Sequence, residues 1–192
     1  SIAAPVSEPG PDCALCPRLW DFRHANRAEY PEWHNAPVAS FGGLDAALLI
    51  VGLAPGLRGA NQTGRPFTGD FAGDLLYATL AKFGFSEGDY GARPDDGLKL
   101  LDCRITNAVR CVPPQNKPVG AEVTACRRFL KDEISSLKRL RIILALGTLA
   151  HGAVLATLGE KKSLWKFAHR QFHDLPGGPG GNLVLADSYH CS

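Results

Sequence analysis

The sequence predicts an α/β domain in which a parallel sheet of four strands is covered by helices on both faces, a three-layer α/β/α fold. Four short apolar runs lack the alternation of a half-exposed strand, which indicates strands buried on both faces. Helix-like segments lie between these runs, and strands that alternate with helices form parallel sheets with right-handed crossovers. The predicted strands are residues 47–51, 104–109, 141–146 and 183–186.

Length and composition are typical of one globular domain. The chain has 192 residues, of which 45% are hydrophobic and 21% charged, and this suffices for a sizeable core. The net charge of +2 is too small to indicate nucleic-acid binding by itself. No apolar run approaches the roughly 20 residues of a membrane span, and residues 1–10 lack the regions of a signal peptide. We therefore expect a cytoplasmic, monomeric protein in which residues 1–11 are extended.

Two helices are predicted before the second strand. The first, residues 18–28, has a weak amphipathic pattern. The second, residues 71–83, has apolar residues at helical spacing, and Gly84 is suited to end it. The apolar positions of the second helix are Phe71, Leu75, Leu76, Leu80 and Phe83.

Two further helices are predicted at residues 119–140 and 149–158. Apolar residues follow one face of the former and basic residues the opposite face. The apolar positions are Leu130, Ile134 and Leu137, and the basic positions are Arg127, Arg128, Lys131 and Lys138. Thr148 is a suitable N-cap for the last helix. Residues 161–173 are basic and aromatic, and residues 176–181 are a glycine-rich turn before the fourth strand.

A loop rich in glycine and proline, residues 52–70, joins the first strand to the second helix. A loop of this length in a compact domain is often functional. It begins at the carboxyl end of a parallel strand, where open α/β sheets bind ligands, and its backbone N–H groups can meet anionic or carbonyl oxygens. Since the carboxyl ends of parallel strands share one edge, we expect this loop, Asn107, Gly147–Thr148 and His190 to line one crevice.

The cysteines indicate a metal site. Cys13 and Cys16 form a C-x2-C pair, and Cys111 and Cys126 form a second pair. Four thiolates suffice for a tetrahedral zinc ion or an iron–sulfur cluster, and the spacing alone leaves both open. The site would tie the amino-terminal segment to the region between the second strand and the third helix. Two cysteines fall outside this pattern and are expected to be buried thiols. They are Cys103 and Cys191.

Four motifs, taken together, resemble the iron–sulfur uracil-DNA glycosylases, specifically the family 5 or B-type branch. The motifs are residues 52–56, 64–70, 106–111 and 188–192. They occur in the expected order with the cysteines in register, and the resemblance runs from Cys13 to the end of the chain. The sequence departs from the sibling family 4, which has an acidic residue at the position of Leu53. The resemblance implies a four-stranded parallel sheet, a [4Fe–4S] cluster on the four paired cysteines, and excision of uracil and other deaminated bases from DNA.

Under this resemblance, several pocket residues acquire roles in base recognition. His190 and the backbone N–H groups near Ala54 would donate hydrogen bonds to the oxygens of the departing base. The base must leave the duplex stack, so Phe67 would stack on it and the Asn107 amide would read its edge. The alternatives are a core role for Phe67 and a turn role for Asn107.

A carboxylate is also expected near the sugar, where it would orient water or face the developing positive charge. Leu53 and Ala54 cannot supply it, so Asp70 is the predicted residue, with Asp74 in reserve. The alternative for Asp70 is a helix cap. Catalysis would therefore involve His190, Asp70 and Asn107.

DNA contacts are predicted in the loop and in residues 161–170, a segment in which lysines and arginine alternate with Trp165 and Phe167. The predicted contact residues are Arg58, Asn61, Arg65, Lys166 and Arg170. Phosphate contacts of this kind position the DNA and do not read its sequence. Each of these charges could also belong to a solvated loop. The expected partner is single- or double-stranded DNA with deaminated bases.

In the family, residues beyond the final motif enter the duplex, so we expect either a natural chain that continues past Ser192 or weaker flipping of paired bases.

Two other functions stay open. One is a nucleotide-binding α/β module, although the loop matches neither G-x-G-x-x-G nor G-x-x-x-x-G-K-[ST]. The other is a non-catalytic nucleic-acid binder stapled by zinc or a cluster, which would bind with steep salt dependence and leave bases intact.

Overall fold

The computed structural model describes residues 6–179 and 181–191. Its strands are β1 (Phe41–Gly42), β2 (Leu48–Gly52), β3 (Ser86–Glu87), β4 (Lys99–Leu100), β5 (Cys103–Asn107), β6 (Ile142–Leu146), β7 (Phe172–Gly178) and β8 (Gly181–Ser188). Its helices are α1 (Pro17–Glu29), α2 (Ala60–Thr63), α3 (Phe71–Lys82), α4 (Gly120–Ser136) and α5 (Thr148–Thr157). None of the described helices is long and apolar enough to cross a membrane.

The main sheet has six strands in the order β1-β5-β2-β6-β8-β7. The central strands β5, β2, β6 and β8 are parallel, as predicted, and β1 and β7 pair antiparallel at the two edges. The expected count of four strands is therefore corrected to six. The edge strands escaped prediction because β1 has two residues and β7 has no apolar run, since only His173 and Leu175 of β7 are buried.

Helices cover both faces of the sheet. Leu49 and Val51 of β2 pack in one core with α4 and α5, whereas Ile50 packs in a second core with α3. Successive residues of a strand point to opposite faces, so a strand covered on both sides is apolar throughout. This explains the run without alternation and confirms the three-layer arrangement.

Helix α3 is rotated relative to the prediction. Leu76 and Leu80 are buried as expected, together with Ala72 and Tyr77. The expected core positions Phe71, Leu75 and Phe83 are exposed by 69%, 45% and 66%. The reason is contact with the glycine-rich loop: the Tyr77 hydroxyl donates to the Pro66 carbonyl oxygen (2.6 Å), and a Cβ on Gly73 would lie 1.9 Å from the Phe67 carbonyl oxygen. Gly84 follows the helix with φ +79°, as predicted.

Helix α4 carries a buried carboxylate that apolar periodicity did not reveal. Glu133 is 0% exposed and pairs with Arg104 (Nε–Oε2 2.6 Å) and Arg110 (Nη2–Oε1 3.2 Å). Glu8 pairs with the same two arginines. Ion pairs therefore attach the amino-terminal segment to β5 and α4. Leu130 and Ile134 are buried as predicted, but α4 ends at Ser136 instead of residue 140.

Candidate active site

A pocket lies at the carboxyl ends of β2 and β5, which pair so that Gly52 stands opposite Asn107. Residues of the loop, of β5 and of the segment after β8 meet there. The lining residues are Ala54, Pro55, Gly56, Ala60, Phe67, Asp70, Asn107 and His190. A wider void shares several of these residues and adds Leu53 and Asn116. Gly147–Thr148, which was expected in the same crevice, does not line the pocket.

The Phe67 ring and the Asn107 amide meet above Gly52. A Cβ at Gly52 would lie 2.4 Å from Phe67 Cζ and 2.6 Å from Asn107 Oδ1, so only glycine leaves both side chains in place. Phe67 has φ +56°, a left-handed conformation that costs energy for a bulky residue and is common at functional sites. Its ring centroid lies 6.1 Å from that of His190. The aromatic ring, the amide and the imidazole therefore surround one space.

Asn107 carries the most informative atom of the pocket. Its side chain is buried, and Oδ1 has no hydrogen-bond partner within the described part of the chain. Buried polar atoms are nearly always paired, so an orphan acceptor on a pocket wall indicates a site for a ligand that donates. An N–H group in the pocket would satisfy it.

Asp70 caps a helix, which was the alternative considered for it, and it also lines the pocket. It is the N-cap of α3, where Oδ1 accepts a hydrogen bond from the Gly73 N–H (2.9 Å). It also lines the pocket, with Oδ2 near the backbone of Gly59. One oxygen thus holds the helix and the other lies beside the glycine-rich loop. Asp74 is exposed in the first turn of α3 and does not line the pocket.

A buried hydrogen-bond network supports the segment that carries His190. The Asp187 carboxylate accepts from His151 Nδ1 (2.6 Å) and His173 Nε2 (2.8 Å), and the other ring nitrogen of His151 bonds the Trp165 carbonyl oxygen (2.6 Å). The possible ligand atoms of His151, His173 and Asp187 lie within 4.8 Å of one another, close enough to hold a metal ion. Because the groups already satisfy each other, we interpret them as a network that ties β8 to α5 and β7.

Three of the predicted DNA contacts are exposed. Arg58 lies in the loop, and Lys166 and Arg170 lie in the segment between α5 and β7. Next to Arg170 in the sequence, His169 stacks on the exposed ring of Tyr189 with centroids 4.3 Å apart. These residues can reach a polyanion in solvent.

The other two predicted DNA contacts point inward, which corrects the expectation. Arg65 is buried and forms a bidentate ion pair with Asp96 (2.8 and 2.6 Å), and its guanidinium lies over three aromatic rings. The rings are Phe41, Tyr77 and Tyr90. Asn61 is also buried, and its amide donates to Asn35 Oδ1 (3.0 Å). Both side chains therefore hold the loop and are not available to a phosphate.

The four paired cysteines line one cavity on the amino-terminal side of the molecule. Cys13, Cys16, Cys111 and Cys126 face it together with apolar residues and two arginines, Arg23 and Arg110. Burial raises the pKa of Cys111 to about 12 and that of Cys126 to about 11, so a metal must deprotonate these thiols when it binds. No residue of this lining belongs to the pocket at the carboxyl ends of β2 and β5.

The spacing of the cysteine sulfurs bears on the choice between a zinc ion and a cluster. Within the described residues, no three cysteine sulfurs lie within 4.8 Å of one another. A tetrahedral zinc ion with Zn–S bonds of about 2.3 Å needs sulfurs about 4 Å apart. As placed, the sulfurs are therefore more widely spaced than a single zinc ion requires. Cys103 and Cys191 do not line this cavity.

The pocket and the cysteine cavity have a common wall. Ala54, which lines the pocket, also packs against the small apolar core formed by Leu19, Val109 and Cys111. The Val109 N–H donates to the Leu53 carbonyl oxygen (2.9 Å) and holds the loop to the same wall.

The fold and the pocket define an α/β domain that can bind a flat, hydrogen-bonding ring at the carboxyl ends of its parallel strands. The chain belongs to the uracil DNA glycosylase superfamily, whose family model matches residues 39–192. This confirms the family that the sequence motifs indicated.

Curated relatives match most of the chain. The type-5 uracil-DNA glycosylase of Thermus thermophilus is 43% identical over 187 residues, which are 94% of this chain and 82% of the relative. The type-5 enzyme of Pyrobaculum aerophilum is 40% identical over 81% of this chain and 70% of its own length. The type-4 uracil-DNA glycosylase of the same organism is 33% identical over 72% of this chain and 63% of its own length.

Proposed function

We propose that this chain is a DNA glycosylase that hydrolyses the N-glycosidic bond of uracil and other deaminated bases in DNA, the first step of base excision repair. The observation that carries the proposal is the unpartnered Oδ1 atom of Asn107, which lies in the pocket beside Phe67. The names of the type-5 relatives support the same activity.

The pocket residues can bind a base that has left the duplex. A glycosidic bond is not accessible within the stack, so the nucleotide must be extruded, and its base then needs an aromatic face and a polar edge reader. Phe67 supplies the face. Asn107 Oδ1 accepts from the ring N–H of uracil, and Nδ2 can donate to a neighbouring carbonyl oxygen.

Cleavage leaves negative charge on the departing base and positive charge on the sugar. His190 and the N–H groups near Ala54 donate to the base oxygens, and each such donor in a dry pocket contributes about 3–4 kcal/mol by analogy with oxyanion holes. Asp70 Oδ2 orients water or faces the sugar cation, while Oδ1 remains in the helix cap. Addition of water at the sugar carbon then gives the free base and an abasic site.

DNA lies across the mouth of the pocket in this proposal. Arg58, Lys166 and Arg170 bind phosphates and position either a single strand or a duplex without reading sequence. The enzyme acts as a monomer in the cytoplasm.

We also propose that Cys13, Cys16, Cys111 and Cys126 hold a structural [4Fe–4S] cluster. Their common cavity and wide sulfur spacing support a cluster over a zinc ion. When bound, the cluster supplies cross-links between the amino-terminal segment and the region that follows β5. Iron and acid-labile sulfide analysis of the purified protein, together with its visible absorbance, tests this assignment, and stoichiometric zinc would contradict it.

The test of function is base release. End-labelled oligonucleotides with one uracil, hypoxanthine or xanthine, single-stranded or paired, are incubated with the protein and treated with alkali. We expect strand breaks at the uracil position and none in a matched thymine oligonucleotide. A gel shift without alkali-labile sites would instead support the non-catalytic binder.

A further inference from the structure

Arg23 is a buried cation in the cysteine cavity. It lies on the inner face of α1, and its side chain is 1% exposed. Its Nη1 donates to Cys111 Sγ (3.4 Å), and its Nη2 donates to the Cys13 carbonyl oxygen (2.7 Å). One guanidinium therefore contacts both halves of the cysteine set, the C-x2-C segment and the pair that follows β5.

Other buried arginines of this protein have carboxylate partners. Arg65 pairs with Asp96, and Arg104 and Arg110 pair with Glu133. Within the part of the chain that the structure describes, Arg23 forms no ion pair of this kind, and the carboxylate that it influences electrostatically is the exposed Asp12.

A buried guanidinium without an ion-paired carboxylate is costly, so an anionic occupant of the cavity would stabilise Arg23. Four thiolates with a bound iron–sulfur cluster supply it, because the charges of the thiolates and sulfides exceed those of the iron ions. Four neutral thiols carry no charge and would not balance the guanidinium. Arg23, on the inner face of α1, is thus matched to an anionic occupant of the cavity.

We propose that Arg23 is the counter-charge of the cysteine site and the hydrogen-bond donor to the Cys111 thiolate, so that it retains the cluster and raises its reduction potential. The inference rests on the proposed cluster. A positive charge and an N–H···S hydrogen bond both favour the more electron-rich form of a cluster, since net charge and hydrogen bonds to sulfur set its potential.

The test compares Arg23→Met with Arg27→Met in the purified holoprotein. Methionine fills similar space without charge or N–H donors. Arg27 lies one turn further along α1 and bonds Asp12 and the Asn35 carbonyl oxygen, outside the cavity. We measure iron release to a chelator and the midpoint potential of the cluster.

In Arg23→Met we expect iron release to be about tenfold faster. We also expect the ratio of reduced to oxidised cluster at a fixed potential to fall about tenfold, which is about 59 mV for a one-electron couple. Arg27→Met should match the wild type in both measurements. A wild-type rate of iron release together with a wild-type midpoint potential in Arg23→Met would overturn the role of Arg23.

Arg23→Lys keeps the charge and loses the fork of donors, so we expect faster iron release with a midpoint nearer the wild type. If Arg23→Met does not fold, this variant decides, and wild-type iron release from it would overturn the proposal. Wild-type protein without iron would overturn the cofactor assignment and this inference together. Uracil release is scored separately, so its failure would count only against the glycosylase function.

Discussion

At the scale of single residues, the pocket depends on atoms whose positions leave little freedom. Asn107 Oδ1 is buried without a partner in the described chain, and Gly52 provides the space in which it meets the Phe67 ring. An unpaired buried acceptor contributes nothing to the stability of the free protein, so its removal should affect binding and catalysis far more than folding.

Asn107→Ala is therefore expected to lower the single-turnover rate of uracil release about 10²–10³-fold, the range for loss of one preorganised polar group. Its melting temperature should stay close to that of the wild type. Asn26→Ala is a matched control, because Asn26 is equally buried with an unpartnered Nδ2 but lies on α1. Equal rates for Asn107→Ala and Asn26→Ala would refute base recognition by Asn107.

Gly52→Ala should disturb the contact between the Phe67 ring and the Asn107 amide. The added Cβ forces Phe67 or Asn107 to move, so we expect a loss of about 1–3 kcal/mol in stability and a larger loss in uracil release. Gly120→Ala, at a position where a Cβ meets nothing within 4 Å, should keep both. Urea unfolding and the glycosylase assay measure the two effects, and a fully active Gly52→Ala would contradict the described packing.

The sequence allowed these pocket residues to be predicted as a group, because the strand-end rule applies to Asn107, His190 and the loop whatever their side chains do. It did not give the direction of side chains within the loop. Arg65 was expected to face DNA, but its partner Asp96 is distant in sequence, and a charge by itself does not reveal whether it is buried. Asn116 of the adjoining void was missed, since nothing in its local pattern signals a pocket.

At the scale of elements, α3 adjoins the pocket through its N-cap residue, Asp70. Asp70 caps the helix through Oδ1 and also lines the pocket, so two substitutions separate the cap from the proposed role of the charge. Asparagine keeps a cap acceptor and removes the charge, whereas alanine removes both.

We expect Asp70→Ala to lose about 1 kcal/mol of stability and Asp70→Asn to lose much less. Both should release uracil at least tenfold more slowly if the carboxylate acts on water or the sugar cation. Thermal unfolding and single-turnover rates test this pair. Wild-type activity in Asp70→Asn would limit the residue to its cap.

Long elements were predictable because their burial on both faces produces continuous apolar runs. The edge strand β7 was not, since a strand paired on one side can be polar, and its sequence resembles a loop. The rotation of α3 was also hidden. The rotation follows from the contact of Gly73 with the loop backbone, and the apolar periodicity of the helix gives no information about that contact.

At the scale of the whole molecule, buried ion pairs join parts that are distant in sequence. The Arg65 guanidinium, through its hydrogen bonds, holds the pKa of Asp96 well below its ordinary value of 3.8. A carboxyl group with a lowered pKa stabilises the folded state fully above that ordinary value, and the contribution is lost as the pH falls further.

Asp96→Asn should therefore destabilise the protein by about 3–5 kcal/mol at neutral pH, because it leaves a buried guanidinium without its counter-charge. The variant should also show a smaller loss of stability below pH 3.8 than the wild type. Urea unfolding at pH 3 to 7 measures both quantities, with Asp95→Asn as an exposed control. If the stability of Asp96→Asn and that of the wild type fell in parallel with pH, the assignment of a lowered pKa to Asp96 would be contradicted.

The wall that Ala54 shares between the pocket and the cysteine core has a consequence for the proposed function. If the cysteine cavity holds the proposed cluster, loss of that cluster removes the support behind the loop, and we expect binding of an extruded base to weaken while the sheet stays folded. In a purified sample exposed to peroxide, we expect uracil release to decline together with the visible colour, before the far-ultraviolet circular dichroism changes.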